Sequence, residues 1–428
     1  MERKKRMRSV QTAIIGNGIA GFFAARTLRD LDPKRPITIL TDENELFYSR
    51  PLITQYLTGE MSHADLTLSS QVVYQEKGID LLKGVKVIRV DFKNQKLHLR
   101  NQKKIVYDHL LIATGGVPRA LERLRNRTRG TYFLRTLGDA EEMREVVKKS
   151  KNALVAGGGL VGMKIAYALS QIGLKATVVV SSPHLFSRTL DAKAARIFQS
   201  LLEEKGLRFF FNDEVTEVME RTSSKDQIWG VVTRQKRKIQ GDFLVIAKGV
   251  RPNVDLFEGT PLLLKEGIGV NRQMKTNLKN VFAAGDAAEA PELLTGKGRL
   301  ISLWPNASEQ GKIAAFNMAG ERRQYSGGLP MNAFEFYGLS AITMGLIQTS
   351  AGDEYEERVY ESSDQKVYQK FVLKGDRIVG AIFLQQIQNA GVVLEALKKG
   401  VNVEPLKDKL IKHSSSAERP LIPMEVLY

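Results

Sequence analysis

Two glycine-rich turns of the form GxGxxG, Gly16-Asn17-Gly18-Ile19-Ala20-Gly21 and Gly157-Gly158-Gly159-Leu160-Val161-Gly162, each stand between an apolar strand pattern and a long helical one. A single such turn is weak evidence, because three glycines fall at this spacing in many loops. Two in the same context constrain the chain to two strand–turn–helix units, each shaped for a dinucleotide. In such a unit the first glycine permits the tight turn, the second lets the backbone approach a pyrophosphate, and the third lets the helix pack on the sheet. The helix start then presents free amides and a partial positive charge.

Around the first turn the pattern predicts a strand over residues 12–15 and a helix over 19–31, which Pro33 and Pro36 end before a second strand at 37–40. Asp42 and Glu43 follow at the distance where a carboxylate accepts ribose hydroxyls. The second unit starts at Asn152. After its strand over 176–179 the chain reads Val180-Ser181-Ser182-Pro183-His184, with no acid to repel a 2′-phosphate. Gly162 in the third glycine position leans toward NADH, whereas Ser181, Ser182, His184 or Arg188 can meet the phosphate of NADPH. Use of both coenzymes is expected.

A chain of 428 residues is long enough for two or three domains, and its alternating helical and strand patterns read as α/β. The absence of cysteine excludes a redox disulfide, a peroxidatic thiol, a cysteine-held iron–sulfur cluster and a thiolate zinc site. No metal site is expected, and electrons must pass through a bound organic cofactor. Lysine and arginine outnumber aspartate and glutamate by 64 to 47, a formal charge of +17 that favours acidic partners. The basic runs at 2–8 and 234–238 read as a solvated tail and a solvated face. Residues 1–30 imitate a signal peptide, but their apolar part is the nucleotide turn itself. Residues 153–180 tempt a membrane assignment until Lys164 and the glycines interrupt them. A cytoplasmic protein is expected.

Short alternating segments at 85–91, 96–99 and 104–107 predict a small antiparallel meander, followed by a buried strand at 109–113 that ends in Thr114-Gly115-Gly116. A charged helix is expected over 139–149. Strands at 243–247 and 281–284 lead into Gly249-Val250-Arg251-Pro252-Asn253 and Gly285-Asp286, so one nucleotide domain is inserted within the other. Beyond Pro330, strands at 341–346, 367–373 and 378–384 and a helix over 390–399 predict a separate sheet-plus-helix domain. Residues 419–428 form an apolar tail rich in proline.

These motifs, with Tyr48-Ser49-Arg50-Pro51, Leu111-Ile112-Ala113-Thr114-Gly115 and Ala283-Ala284-Gly285-Asp286, cover nearly the whole chain. It resembles the FAD-dependent pyridine nucleotide oxidoreductases of the glutathione-reductase fold, and within them the NADH:rubredoxin and ferredoxin reductases and the flavoprotein half of nitrite reductase. The resemblance implies an FAD domain over 9–116 and 243–329, an NAD(P)H domain over 117–242, and a C-terminal domain over 330–428 that contacts other subunits or partners. It assigns Gly16, Gly18, Ala20, Gly21, Glu43, Arg50, Pro51, Thr114, Gly115, Gly285, Asp286, Trp304, Pro305 and Gln310 to FAD. To NAD(P)H it assigns Gly157, Gly159, Leu160, Val161, Gly162, Ser181, Ser182, His184, Arg188 and Gly249. Asp286 suits ribityl hydroxyls and Arg50 the pyrophosphate or adenosine end of FAD.

The activity implied is electron transfer from NAD(P)H through flavin to an acidic carrier such as ferredoxin or rubredoxin. An NAD(P)H oxidase that makes peroxide, and a basic flavin-containing protein that binds nucleic acid, remain as alternatives, although no nucleic-acid motif supports the latter. Homo-oligomerisation through the C-terminal domain is consistent with the resemblance. One departure stands out: where many relatives pair a lysine with a glutamate beside the flavin, this chain has Gln55 and Lys164.

Overall fold

The computed structural model describes residues 8–121, 128–221, 223, 227–349, 354–362, 366–407, 410 and 422. They form two compact units: Met1–Tyr56 with Met61–Val117 and Val250–Leu329, and Leu57–Glu60 with Pro118–Gly249 and Pro330–Tyr428. Of the basic run at 2–8, only Arg8 is described, as the start of the first strand; the apolar tail lies outside the described residues apart from buried Ile422.

The first unit is built on a mostly parallel sheet. Arg8–Ile15 pairs in parallel with Ile37–Leu40 on one side and Lys104–Ile112 on the other, Ile79–Leu82 extends one edge, and Val281–Ala283 joins Lys104–Ile112. Strands covered on both faces need continuous apolar runs, and all of Ile37–Leu40 is buried. Helix Ile19–Leu31 buries Ala20, Phe22, Ala24, Ala25 and Leu28. Helix Trp304–Met318 lies so close to it that a Cβ on Gly311 would stand 2.2 Å from the Ala20 carbonyl oxygen.

The expected meander and buried strand are joined: Lys104–Ile112 is one strand of 9 residues. Its first part pairs antiparallel with Lys96–Leu99, and its last part pairs in parallel with Val281–Ala283. Asp108, which broke the apolar pattern, is exposed within the continuous strand.

Two residues paired across strands of this sheet, Thr12 and His109, share a polar neighbour in buried Arg35. Arg35 donates from Nε to Thr12 Oγ1 at 2.7 Å, and its guanidinium stands 3.1 Å from His109 Nδ1. Burial first, and then the neighbouring Arg35, holds the His109 pKa below its ordinary value, with Asp108 opposing. The folded state therefore binds fewer protons here than the unfolded chain. The stability that follows is present above the ordinary histidine pKa of about 6.5 and is lost as pH falls from there through the lowered folded value. Because His98 is shifted the same way, a variant is needed to isolate the site. His109→Gln should flatten the decline in Tm between about pH 8 and about pH 5. Equal slopes in both proteins would count against the assignment.

In the second unit a parallel sheet runs in the order Arg208–Phe210, Lys175–Val179, Asn152–Ala156, Phe243–Ile246 and Thr131–Tyr132. The charged helix spans Leu137–Lys148 and starts at a capping box between Thr136 and Asp139. An antiparallel meander, Val215–Glu220, Ile228–Thr233 and Lys238–Gln240, follows. The basic run at 234–238 turns between its last two strands; Arg234 pairs with Glu214 and Arg237 with Asp213, so part of it is neutralised.

The C-terminal sheet is antiparallel, in the order Met331–Phe336, Leu339–Gly345, Arg377–Leu384, Val367–Lys374 and Glu356–Ser362, with helix Ala390–Lys399 at the expected place. It falls in one compact unit with Pro118–Gly249. Phe334 packs 5.2 Å from Phe186 and 5.4 Å from Phe198, ring centre to ring centre. Tyr368 donates to Asp191 Oδ2 at 2.6 Å, while Asp191 Oδ1 caps helix Ala192–Glu204 by accepting from the Ala194 amide. Among the described residues no helix is long and apolar enough to cross a membrane.

Candidate nucleotide-binding sites

The two glycine turns have the same internal geometry. Gly16 has φ +113°, and a Cβ there would stand 2.1 Å from the Ala113 carbonyl oxygen; one on Gly21 would stand 2.0 Å from that of Gly16. Gly157 has φ +133°, with the corresponding separations 2.3 Å to Ala247 and, for Gly162, 1.9 Å to Gly157. Neither first position accepts a side chain, on grounds of both backbone conformation and space. The middle glycines differ: a Cβ on Gly18 or Gly159 meets nothing within 4 Å. Each is also the N-cap of its helix, with no side-chain cap bond, so both helix starts keep an open, amide-rich face. At the first turn Asn17 accepts from the Tyr74 hydroxyl at 3.0 Å, and its buried Nδ2 donor has no partner among the described residues. Open space, amides and a spare donor suit a diphosphate.

Several residues expected around FAD converge here. Glu43 accepts from the Tyr48 hydroxyl at 2.6 Å and from Arg50, so the two residues expected on the adenosine side form one cluster. Arg50 opens the short helical turn Arg50–Leu52 that contains Pro51, and it also feels the charge of Asp286. Thr114 donates to the Asn253 carbonyl at 2.7 Å, and the Asn253 amide donates to Gly115 at 2.9 Å. Buried Gln310 accepts from the Gly285 amide at 2.8 Å, and a Cβ on Gly285 would stand 3.2 Å from that of Ala20. Ala20, Gly285 and Gln310 therefore gather beside the start of helix Ile19–Leu31, with Asp286 next to Gly285 in the chain. Trp304, followed by Pro305, starts the latter helix and stacks on Phe47 at 6.1 Å, joining the aromatic core.

In the second unit, Leu160 and Val161 open the helix, and the Val161 side chain is exposed. Gly249, at φ +87°, accepts at its carbonyl from the Arg119 amide. Ser182 and His184 bond within their own loop: Ser182 Oγ donates to the His184 carbonyl, and His184 Nδ1 bonds the Leu185 carbonyl, both at 2.8 Å. Arg188 is exposed. Ser181 instead accepts from Lys248 Nζ at 3.1 Å.

Lys248 escaped the sequence reading, and its only signal was its place next to Gly249. It lies 3.1 Å from Glu214 Oε1 as well, so a carboxylate does approach this site, from a loop the local segment did not reveal. The expectation that nothing repels a 2′-phosphate needs that correction. Lys164 is half-buried, burial lowers its pKa, and it has no carboxylate partner among the described residues. Gln55 accepts from Thr54 and belongs to the first unit, Lys164 to the second. Among the described residues no histidine or carboxylate group is arranged to hold a metal.

A family model described as pyridine nucleotide-disulphide oxidoreductase matches residues 10–311, and one described as rubredoxin NAD+ reductase C-terminal domain matches residues 330–401. The chain is 29% identical over 395 residues to a nitrite reductase (NAD(P)H) of Bacillus subtilis, covering 92% of this chain and 48% of that protein. It thus spans about half the length of that relative. It is 30% identical over 370 residues to rhodocoxin reductase of Rhodococcus erythropolis, covering 86% of this chain and 84% of that one. Its fold is that of a solved covalent putidaredoxin reductase–putidaredoxin complex, with a TM-score of 0.86 at 24% identity over 98% of both chains.

Proposed function

The chain belongs to the pyridine nucleotide-disulphide oxidoreductase family, and from that premise we propose that it is a flavoprotein reductase carrying electrons from NAD(P)H through FAD to a small ferredoxin- or rubredoxin-type protein. The observation that carries this reading is the pair of like-built glycine turns, each with a sterically open middle glycine at an uncapped helix start. With no cysteine in the sequence, the disulphide chemistry in the family's name has no residue to run through. When bound, FAD accepts a hydride and releases electrons one at a time, a conversion that side chains alone do not perform.

The protein's own residues bind and orient. Gly16–Gly21 and the helix behind them hold the FAD diphosphate by backbone amides and helix charge. Glu43 and Arg50 serve its adenosine and diphosphate side, Asp286 accepts from ribityl hydroxyls, and the start of helix Trp304–Met318 presents a positive end. Gly157–Gly162 hold the coenzyme diphosphate. Lys164, with no carboxylate partner among the described residues, adds a positive group to the helix that begins there. The likeness to rhodocoxin reductase and the C-terminal match support an iron–sulfur partner, and the charge of +17 suits an acidic one. A cytoplasmic location and self-association through the C-terminal region complete the proposal.

The test is anaerobic reduction by NADH and NADPH, then turnover with a ferredoxin, a rubredoxin, oxygen and an artificial acceptor. Carrier-dependent turnover that falls with added salt is expected. Fast oxygen consumption, indifferent to either carrier, would replace this reading with an oxidase.

A further inference from the structure

We infer that Lys248, held between Ser181 and Glu214, makes this enzyme a user of NADPH by receiving the 2′-phosphate of the coenzyme. The inference rests on the second glycine turn being the NAD(P)H site. In such units the adenosine ribose lies at the carboxyl end of the strand after the fingerprint helix, where an acid accepts its hydroxyls. Here that strand is Lys175–Val179, and Ser181 stands just beyond its end. The glycine turn abuts the same segment: a Cβ on Gly158 would stand 2.8 Å from Val180 Cγ1. In place of the acid is a serine that already carries a cation.

The cation comes from a distant part of the sequence. Lys248 follows Phe243–Ile246, and its side chain, 18% exposed, is 3.1 Å from both Ser181 Oγ and Glu214 Oε1. An ammonium has three protons to donate, so one stays available after these two contacts. Glu214 also pairs with Arg234, so two cations face one carboxylate and the cluster keeps a net positive charge. A ribose hydroxyl gains little from that surplus, whereas a phosphate gains a charge-assisted bond. Glu214 is a positioning residue: it holds Lys248 toward Ser181, and it also tempers the attraction.

The flavin-loaded protein is titrated with NADP+ and with NAD+, and then with 2′,5′-ADP against ADP, by calorimetry. The wild type should bind NADP+ at least as tightly as NAD+. Lys248→Met should weaken NADP+ and 2′,5′-ADP by about ten- to a hundredfold, the worth of one charged hydrogen bond, and change NAD+ and ADP by less than about twofold. Lys248→Arg should keep most of the preference. Glu214→Gln should tighten NADP+ selectively, a result that no general loss of folding produces. A wild type that binds NAD+ and rejects NADP+, or a Lys248→Met variant that weakens both coenzymes equally, overturns the inference and leaves the reductase reading standing. Failure of the wild type to bind either coenzyme overturns both.

Discussion

A Gly159→Asp variant is expected to purify with its full complement of FAD, melt no lower than the wild type, and bind NAD(P)H roughly a thousandfold more weakly. The fold should accept the substitution because nothing lies within 4 Å of a Cβ at this position and the backbone there is ordinary extended chain, with φ −82°. Aspartate is moreover among the preferred N-cap residues, and Gly159 caps its helix without any side-chain bond. The new carboxylate would therefore satisfy the helix amides and add stability. It would also put a negative charge where the coenzyme diphosphate must go. Two unit charges about 4 Å apart at an effective dielectric of about 20 repel by about 4 kcal/mol, or about three powers of ten in affinity. Titration calorimetry with NADP+ and NAD+, beside a melting curve, checks both halves. Retained coenzyme binding would remove this turn from the site.

The same substitution at the first turn should have the opposite consequence for the cofactor. Gly18→Asp meets open space and the same N-cap position, so the polypeptide should fold, but it should emerge colourless and resist reconstitution with FAD. Its melting temperature should lie below that of the flavin-loaded wild type but no lower than that of the stripped wild type, because the stabilisation from bound cofactor is lost while the new N-cap carboxylate adds a little. Absorbance of the purified protein near the flavin bands decides the matter. A yellow Gly18→Asp protein with stoichiometric FAD would show that the first turn does not hold the diphosphate. Together the pair assigns one cofactor to each turn, which neither variant does alone.

What the sequence disclosed was local. The glycine turns, the flanking strands and the helix at Ala390–Lys399 announce themselves through residues that are neighbours in the chain, and they could be placed closely. The continuity of Lys104–Ile112 was hidden by Asp108, whose charge is tolerated mid-strand because it faces solvent. Met331–Phe336 and Glu356–Ser362 were missed for a related reason. Both lie at edges of their sheet, and their mixed polar and apolar residues weaken the strand pattern. Lys248 and Glu214 belong to another category. They meet Ser181 only because Phe243–Ile246 and Arg208–Phe210 flank Asn152–Ala156 and Lys175–Val179 in one sheet, and sheet order is not written in any short stretch of residues.

The attachment of the C-terminal sheet limits how this protein can be divided. Phe186 and Phe198, on the nucleotide-binding side, have Phe334 and Phe336 as ring neighbours, and Asp191, which caps a helix there, is bonded by Tyr368 and approached by buried Lys370 at 3.5 Å. A cut after Leu329 would leave two large aromatic surfaces bare and strip a lysine and an aspartate of each other's charge. The boundary that looks natural in the linear sequence is thus a poor place for scissors. Chimaeras that borrow coenzyme preference from a relative should transplant 118–249 and 330–428 together, as one inherited block.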